Sequence, residues 1–173
     1  VCVSVSESME VDVTFQWGDS IPNDADHWNL AYNNADTETL GWYQKEHVVT
    51  KELLSVCKGK RIIDVGAGAT TLVQSLLDGE FRVTVLDISS EALQILSSRH
   101  GDAIEYKLGD LSSQLELGEY DIWHDRAVLH FLLDEEEYQS YVSNLESCIP
   151  VGGFAVIETF SIDGAEMCCG LNL

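Results

Sequence analysis

An α/β fold, a doubly wound parallel sheet with helices on both faces, is predicted by three observations. Apolar runs that suit strands alternate with stretches of helical periodicity. The run from Arg61 to Val65 breaks into the glycine pair Gly66 and Gly68 directly after one carboxylate, Asp64. Two later runs also end in carboxylates, Asp87 and Asp110, and the intervals from Asp64 to Asp87 and from Asp87 to Asp110 are both 23 residues. That interval suits a strand, a helix and two loops. It places three carboxylates at the carboxyl ends of successive parallel strands, where open α/β sheets bind ligands.

The elements follow in order. Residues 1–24 show little helical periodicity and read as a loose arm, leaving 25–173 as one domain. Met9 is the first methionine, and a native start there is expected. Trp28 and Tyr32 fall four apart on one helical face. An aromatic turn, Gly41-Trp42-Tyr43-Gln44, leads into a helix from Glu46 to Cys57 with Val49, Leu53, Leu54 and Cys57 inward. Strand one covers 61–65, and the helix after it turns Leu72, Val73, Leu76 and Leu77 to the core. Strand two is 82–87, followed by a helix carrying Ala92, Leu93, Ile95 and Leu96, and strand three is 103–108. Strand four is short, 120–123. The next helix opens near Asp134, with Glu137 completing a capping box and Tyr138, Tyr141, Val142 and Leu145 inward. A turn at 149–153 precedes strand five, 154–160. Such alternation implies right-handed crossovers.

Composition narrows the function classes. A chain of 173 residues with 45% hydrophobic content and two prolines can bury a real core. The net charge of −21 is uneven, since all nine Lys and Arg lie between Lys45 and Arg126. This surface repels phosphate backbones and disfavours a nucleic-acid partner; solubility alone accounts for it, though a basic protein or an amine would be tolerated. No apolar run reaches the length of a membrane span, and the first residues lack a basic region and a long apolar core, so a soluble, cytoplasmic protein is expected. The five cysteines, Cys2, Cys57, Cys148, Cys168 and Cys169, lack metal-ligand spacing and read as free thiols, with no metal site.

The glycine turn lets the backbone leave a strand sharply and lets a ligand approach with no Cβ in the way. The third glycine of a dinucleotide fingerprint is absent, because Thr71 stands there. A ligand without phosphates is favoured over a pyrophosphate. Asp87 suits the two hydroxyls of a ribose, and Asp110 can accept from an adenine amino group.

Taken as an ordered set, Asp64-Val65-Gly66-Ala67-Gly68, Asp87 and Gly109-Asp110-Leu111 resemble the first three motifs of the class I S-adenosylmethionine-dependent methyltransferases. Pro150-Val151-Gly152-Gly153-Phe154 is similar to that family's turn before strand five. The segments 83–89 and 121–132 resemble a subgroup of small, single-domain members. The resemblance implies a Rossmann-like core with S-adenosylmethionine as cofactor. By it, Gly66 and Gly68 lie under the methionine part, Asp87 holds the ribose, Asp110 with Leu111 frames the adenine, and Asp64, Ala67 and Ile88 also contact the cofactor. His124 follows strand four directly and is expected to touch the methionine portion. Asp125 and His124 are the candidate catalytic residues, with an Asp125–Arg126 pairing as the structural alternative and His130 as scaffold. Trp28, Tyr32, Trp42 and Tyr43 are expected to form a lid, Tyr43 being the expected cofactor contact.

A complete sheet of this family has seven strands. The residues after Phe160 are too few for a helix and two strands, so the last two strands are expected to be missing. Strand five then presents an open edge, through which self-association is expected. The expected function is methyl transfer to an acceptor, a small molecule ahead of a basic protein side chain. The alternatives are a truncated, inactive methyltransferase-like protein that binds cofactor or a partner, and an NAD-type oxidoreductase, which Thr71 argues against.

Overall fold

A computed structural model describes residues 23–34, 36–161 and 163–173. Most of the expected arm, with Met9, lies outside the described residues. Asn23 and Asp24 already serve the first helix, α1 (Ala25–Asn34), where Asp24 Oδ1 accepts the His27 N–H at 3.0 Å. The remaining helices are α2 (Val48–Val56), α3 (Leu72–Asp78), α4 (Ser90–His100) and α5 (Glu135–Cys148). Five parallel strands, β1 (Arg61–Val65), β2 (Arg82–Asp87), β3 (Glu105–Leu108), β4 (Ile122–Arg126) and β5 (Phe154–Glu158), form one sheet in the order β3-β2-β1-β4-β5. The order reverses at β1, which opens a crevice between the loops after β1 and β4.

Alternation along the strands divides the core into two layers. Ile62, Val83, Val85 and Ile122 pack with Leu72, Leu76, Leu93 and Leu96 on the face covered by α3 and α4. Ile63, Val65, Leu86 and Trp123 pack with Tyr141 and Cys148 of α5 on the other. At the amino-terminal end of the sheet, Asp121 joins β1 to β4: its Oδ2 accepts the backbone N–H of Lys60 and of Arg61, both at 2.9 Å, and Oδ1 pairs with the Arg61 guanidinium at 3.0 Å. These hydrogen bonds hold its carboxyl down at about 2.

Several expected boundaries shift. A 3-10 turn at Gly101–Ala103 delays β3 to Glu105. β4 runs past Trp123 to Arg126, because Asp125 and Arg126 pair in register with Ile157 and Glu158 of β5. His124, Asp125 and Arg126 are therefore strand residues. The capping box at α5 does not form: Asp134 makes no side-chain cap bond, and Glu137 lines the crevice. Tyr138 faces solvent at 43% exposure, while Tyr141 is buried.

Beyond β5 the chain turns back into a short antiparallel hairpin, β6 (Met167–Cys168) and β7 (Leu171–Asn172), with Cys169 and Gly170 at positive φ. It pairs with itself, and among the described residues no strand covers the outer edge of β5.

Two outcomes are expected. Trp123 is fully buried, and its indole N–H donates to Tyr141 Oη at 3.0 Å. Trp123→Phe removes that donor and some volume, and should cost about 2 kcal/mol in denaturant unfolding. With no strand among the described residues on the outer edge of β5, light scattering should show self-association that strengthens as added salt screens the acidic surface. A salt-independent monomer at high concentration would contradict it.

Candidate cofactor site

A cleft opens at the carboxyl ends of β1, β2 and β4. The three matched carboxylates do not stand equivalently in it. Asp87, the last residue of β2, lines the cleft floor and is buried. Its Oδ2 accepts the Gly68 N–H at 2.6 Å and its Oδ1 accepts the Ser89 N–H at 2.8 Å. Burial raises its carboxyl to about 6, against the opposing pull of those two N–H groups, so it is ionised at neutral pH. An ionised carboxylate offers about four lone-pair sites, and two remain for ribose hydroxyls. Asp110, two residues beyond β3, also lines the cleft, its Oδ1 accepting the Ser112 N–H at 2.8 Å. Ile88 and Leu111 supply apolar walls between these carboxylates.

Asp64 departs from the expectation. It lies within β1 rather than beyond it, and its Oδ1 bonds His124 Nδ1 at 2.6 Å across the β1–β4 pairing. Both side chains are buried behind the glycine turn, and neither lines the cleft. His124 Nε2 lies 3.8 Å from Glu158 Oε1, an ion-pair distance without a hydrogen bond. Burial by itself would lower the imidazole pKa; the charge and hydrogen bond of Asp64, with Glu158 behind, override it and raise it to about 9. His124 is thus an imidazolium held in the sheet.

The other candidate base is corrected in the same way. Asp125 is fully buried, accepts the Tyr141 hydroxyl at 2.7 Å, and takes the N–H groups of Val128 (2.9 Å) and Leu129 (3.2 Å). Its carboxylate shapes the turn after β4 and does not reach the cleft. The alternative reading, an Asp125–Arg126 pairing, is not made either: Arg126 donates to the Trp42 carbonyl at 2.9 Å instead. That bond ties the aromatic turn to the end of β4.

Gly66 and Ala67 line the cleft, whereas Gly68 does not. Gly66 and Gly68 both take positive φ, 58° and 57°, which glycine adopts freely. A Cβ at Gly66 would strike Val128, and one at Gly68 would strike the Tyr32 hydroxyl. The space that Gly68 keeps open is therefore filled by the lid. Tyr43 lies in a side pocket with His47 and Thr71 rather than in the main cleft. The cleft contacts are Trp28, Tyr32 and Trp42. The Trp42 indole donates to Tyr32 Oη at 3.0 Å, and Trp28 stands edge-on to Trp42 and Phe131 with ring centroids 5.8 and 5.2 Å away.

Arg126, Val128, Phe131, Leu132, Glu137, Cys168 and Cys169 also line the cleft. None was singled out as a cofactor contact by the sequence pattern. The alternation that marks β4 would have extended it to Arg126. Nothing in the sequence brings the Cys168–Cys169 hairpin to this place.

Two outcomes follow. The His124 pKa, raised from 6.5 to about 9, makes its stabilisation complete below 6.5 and lost as pH rises through 9. Parent stability minus that of His124→Gln should fall across that window, by no more than about 3 kcal/mol. A flat difference would show no proton at this site. Gly68→Val should displace Tyr32 and Trp42, seen as a change in tryptophan fluorescence, as well as weaken ligand binding.

The fold has many relatives among solved structures. A structure described as bearing on the conversion of a disulfide bond into a thioacetal group during echinomycin biosynthesis superposes with TM-score 0.63 at 17% identity, over 77% of this chain and 60% of its own. DesVI of Streptomyces venezuelae gives 0.60 at 18% identity, over 80% and 58%. Phosphoethanolamine N-methyltransferase 1 of Haemonchus contortus gives 0.62 at 17% identity, over 83% and 33%. The chain thus spans 60% or less of the length of these structures. No curated protein sequence matches it significantly. The methyltransferase domain profile matches residues 62–153, from the first core strand through the turn before β5. That match covers more than half of the chain, which belongs to the class I S-adenosylmethionine-dependent methyltransferase domain family.

Proposed function

We propose that this chain binds S-adenosylmethionine in the cleft and transfers its methyl group to a small-molecule acceptor. The observation that carries the reading is Asp87, an ionised carboxylate on the cleft floor between the Gly66–Gly68 turn and Ile88, with lone pairs left for a ribose. Asp110 and Leu111 lie where an adenine would be framed. When bound, the cofactor supplies an already activated methyl on a sulfonium.

The chain's own residues then position and exclude water. Gly66 and Ala67 admit a ligand close to the backbone, and Trp28, Trp42 and Phe131 cover it with an apolar wall. Because the side chains of His124 and Asp125 are turned into the fold, the proposed transfer relies on alignment and on an acceptor that is nucleophilic without a buried base. Arg126 and Glu137 on the cleft wall offer polar contacts to that acceptor. Support for a small acceptor comes from solved structures of the same fold described as a glycopeptide N-methyltransferase and a phosphoethanolamine N-methyltransferase in complex with phosphoethanolamine. A second reading, cofactor binding without turnover, is favoured by the inward-turned side chains of His124 and Asp125, neither of which lines the cleft.

Calorimetric titration with S-adenosylmethionine, S-adenosylhomocysteine and NAD tests the cofactor reading, which requires binding of the first two and none of the third. A methylation screen on small amines and on basic peptides then separates turnover from binding. Asp87→Ala should weaken S-adenosylhomocysteine by about 1.5–3 kcal/mol, roughly ten- to a hundredfold. It should also lower thermal stability, because the Gly68 and Ser89 N–H groups lose their acceptor. Equal affinity in mutant and parent would refute the ribose role.

A further inference from the structure

We propose that Cys168 and Cys169 form a reversible dithiol–disulfide site in the wall of the cleft, whose oxidation state alters cofactor binding. The coupling to cofactor rests on the function proposed above; the thiol chemistry does not.

The two sulfurs stand 3.3 Å apart on adjacent residues, half-buried, and both line the cleft. Cys169 takes a positive φ of 55° at the hairpin turn, and this turn places its side chain beside that of Cys168. The hairpin is seated between two parts of the lid. On one side the His27 ring reaches the Cys169 backbone from α1. On the other stands His130, whose Nδ1 meets Thr159 Oγ1 at 3.2 Å and whose buried Nε2 has no hydrogen-bond partner among the described residues. The Cys169 thiol, by hydrogen bond, and then His130 favour the Cys168 thiolate, which is pulled down to about 5; the same pairing and burial push the Cys169 thiol up. An attacking thiolate and a resolving thiol thus stand side by side at an accessible surface. Cys148, by contrast, is buried with its thiol directed at the Leu145 carbonyl.

The oxidant is a small disulfide such as glutathione disulfide. The Cys168 thiolate attacks one of its sulfurs, the S–S bond breaks, and one glutathione thiolate leaves and takes up a proton from water. The Cys169 thiol, losing its proton, then attacks Cys168 Sγ of the mixed disulfide and expels the second glutathione thiolate, which takes that proton. Two thiols are oxidised, and one glutathione disulfide is reduced to two glutathiones. Adjacent Cα atoms stand about 3.8 Å apart, closer than the usual span of about 4.4–6.8 Å for a disulfide, so the product is strained and readily reduced. Reduction by a dithiol returns the starting state. Closing the ring moves both sulfurs from their places in the cleft wall, so oxidation should weaken a ligand there, and by reciprocity a bound ligand should slow oxidation.

The test treats the full chain with glutathione disulfide and reads intact mass, peptide mapping and S-adenosylhomocysteine affinity, before and after reduction. The expected product is a monomer lacking two hydrogens, bridged between Cys168 and Cys169, with affinity about tenfold weaker and restored by reduction. Cys169→Ser should stop at a glutathione adduct on Cys168, and Cys168→Ser should gain no bridge. A stable adduct on Cys168 in the parent, a bridge to another cysteine, or no reaction overturns the site. Equal affinity of both redox forms overturns the coupling. If the reduced chain binds no S-adenosylhomocysteine, the cofactor reading of the cleft fails instead, and the mapping still decides the thiol site.

Discussion

Where a parallel strand gives way to a loop, its backbone N–H groups lose their ladder partners, and in this chain carboxylates supply the missing acceptors. Asp87 takes the N–H groups of Gly68 and Ser89, Asp125 those of Val128 and Leu129, and Asp110 that of Ser112. At the opposite end of the sheet Asp121 does the same for Lys60 and Arg61. Asp87 and Asp125 are buried, and in such a weakly solvated place these bonds are stronger than in water and costly to leave unmade. The loops around the cleft therefore hold one conformation, and the cleft is largely formed before any ligand arrives.

This constraint also sorts the carboxylates by role. Asp87 and Asp110 bond to backbone on one side and still face the cleft on the other. Asp64 and Asp125 are consumed by the fold: Asp64 pairs with the His124 imidazolium, and Asp125 receives the Tyr141 hydroxyl. The Asp64–His124 pair lies between β1 and β4, under the turn that carries Gly66. An unpaired charge there would be expensive, so the proton on His124 and the conformation of the turn are linked. The function proposed above therefore rests on positioning rather than on a buried base.

The cleft's roof is assembled from parts far apart in the chain. Trp28 and Tyr32 come from α1, Trp42 from the turn before α2, Phe131 from the 3-10 turn after β4, and Cys168 with Cys169 from the terminal hairpin. Arg126 ties this roof to the sheet through the Trp42 carbonyl. A lid held by edge-on aromatic contacts and a few hydrogen bonds is less firmly fixed than the floor, which suits a surface over which ligand must enter and leave.

The parallel α/β sheet, the glycine turn after β1 and the strand-end places of Asp87 and Asp110 were legible in the chain, because strand and helix periodicities are local properties. The absence of a third glycine at Thr71 likewise bore on the ligand class. That β4 extends through His124, Asp125 and Arg126 was not legible, since the extension depends on pairing with β5. Packing between distant segments turned His124 and Asp125 inward, put Trp42 rather than Tyr43 at the cleft, and set Tyr32 in the room that Gly68 leaves. It also brought Cys168 and Cys169 to the cleft wall. A residue's type and spacing state which bonds it can make; which partner it meets is a property of segments brought together from across the chain.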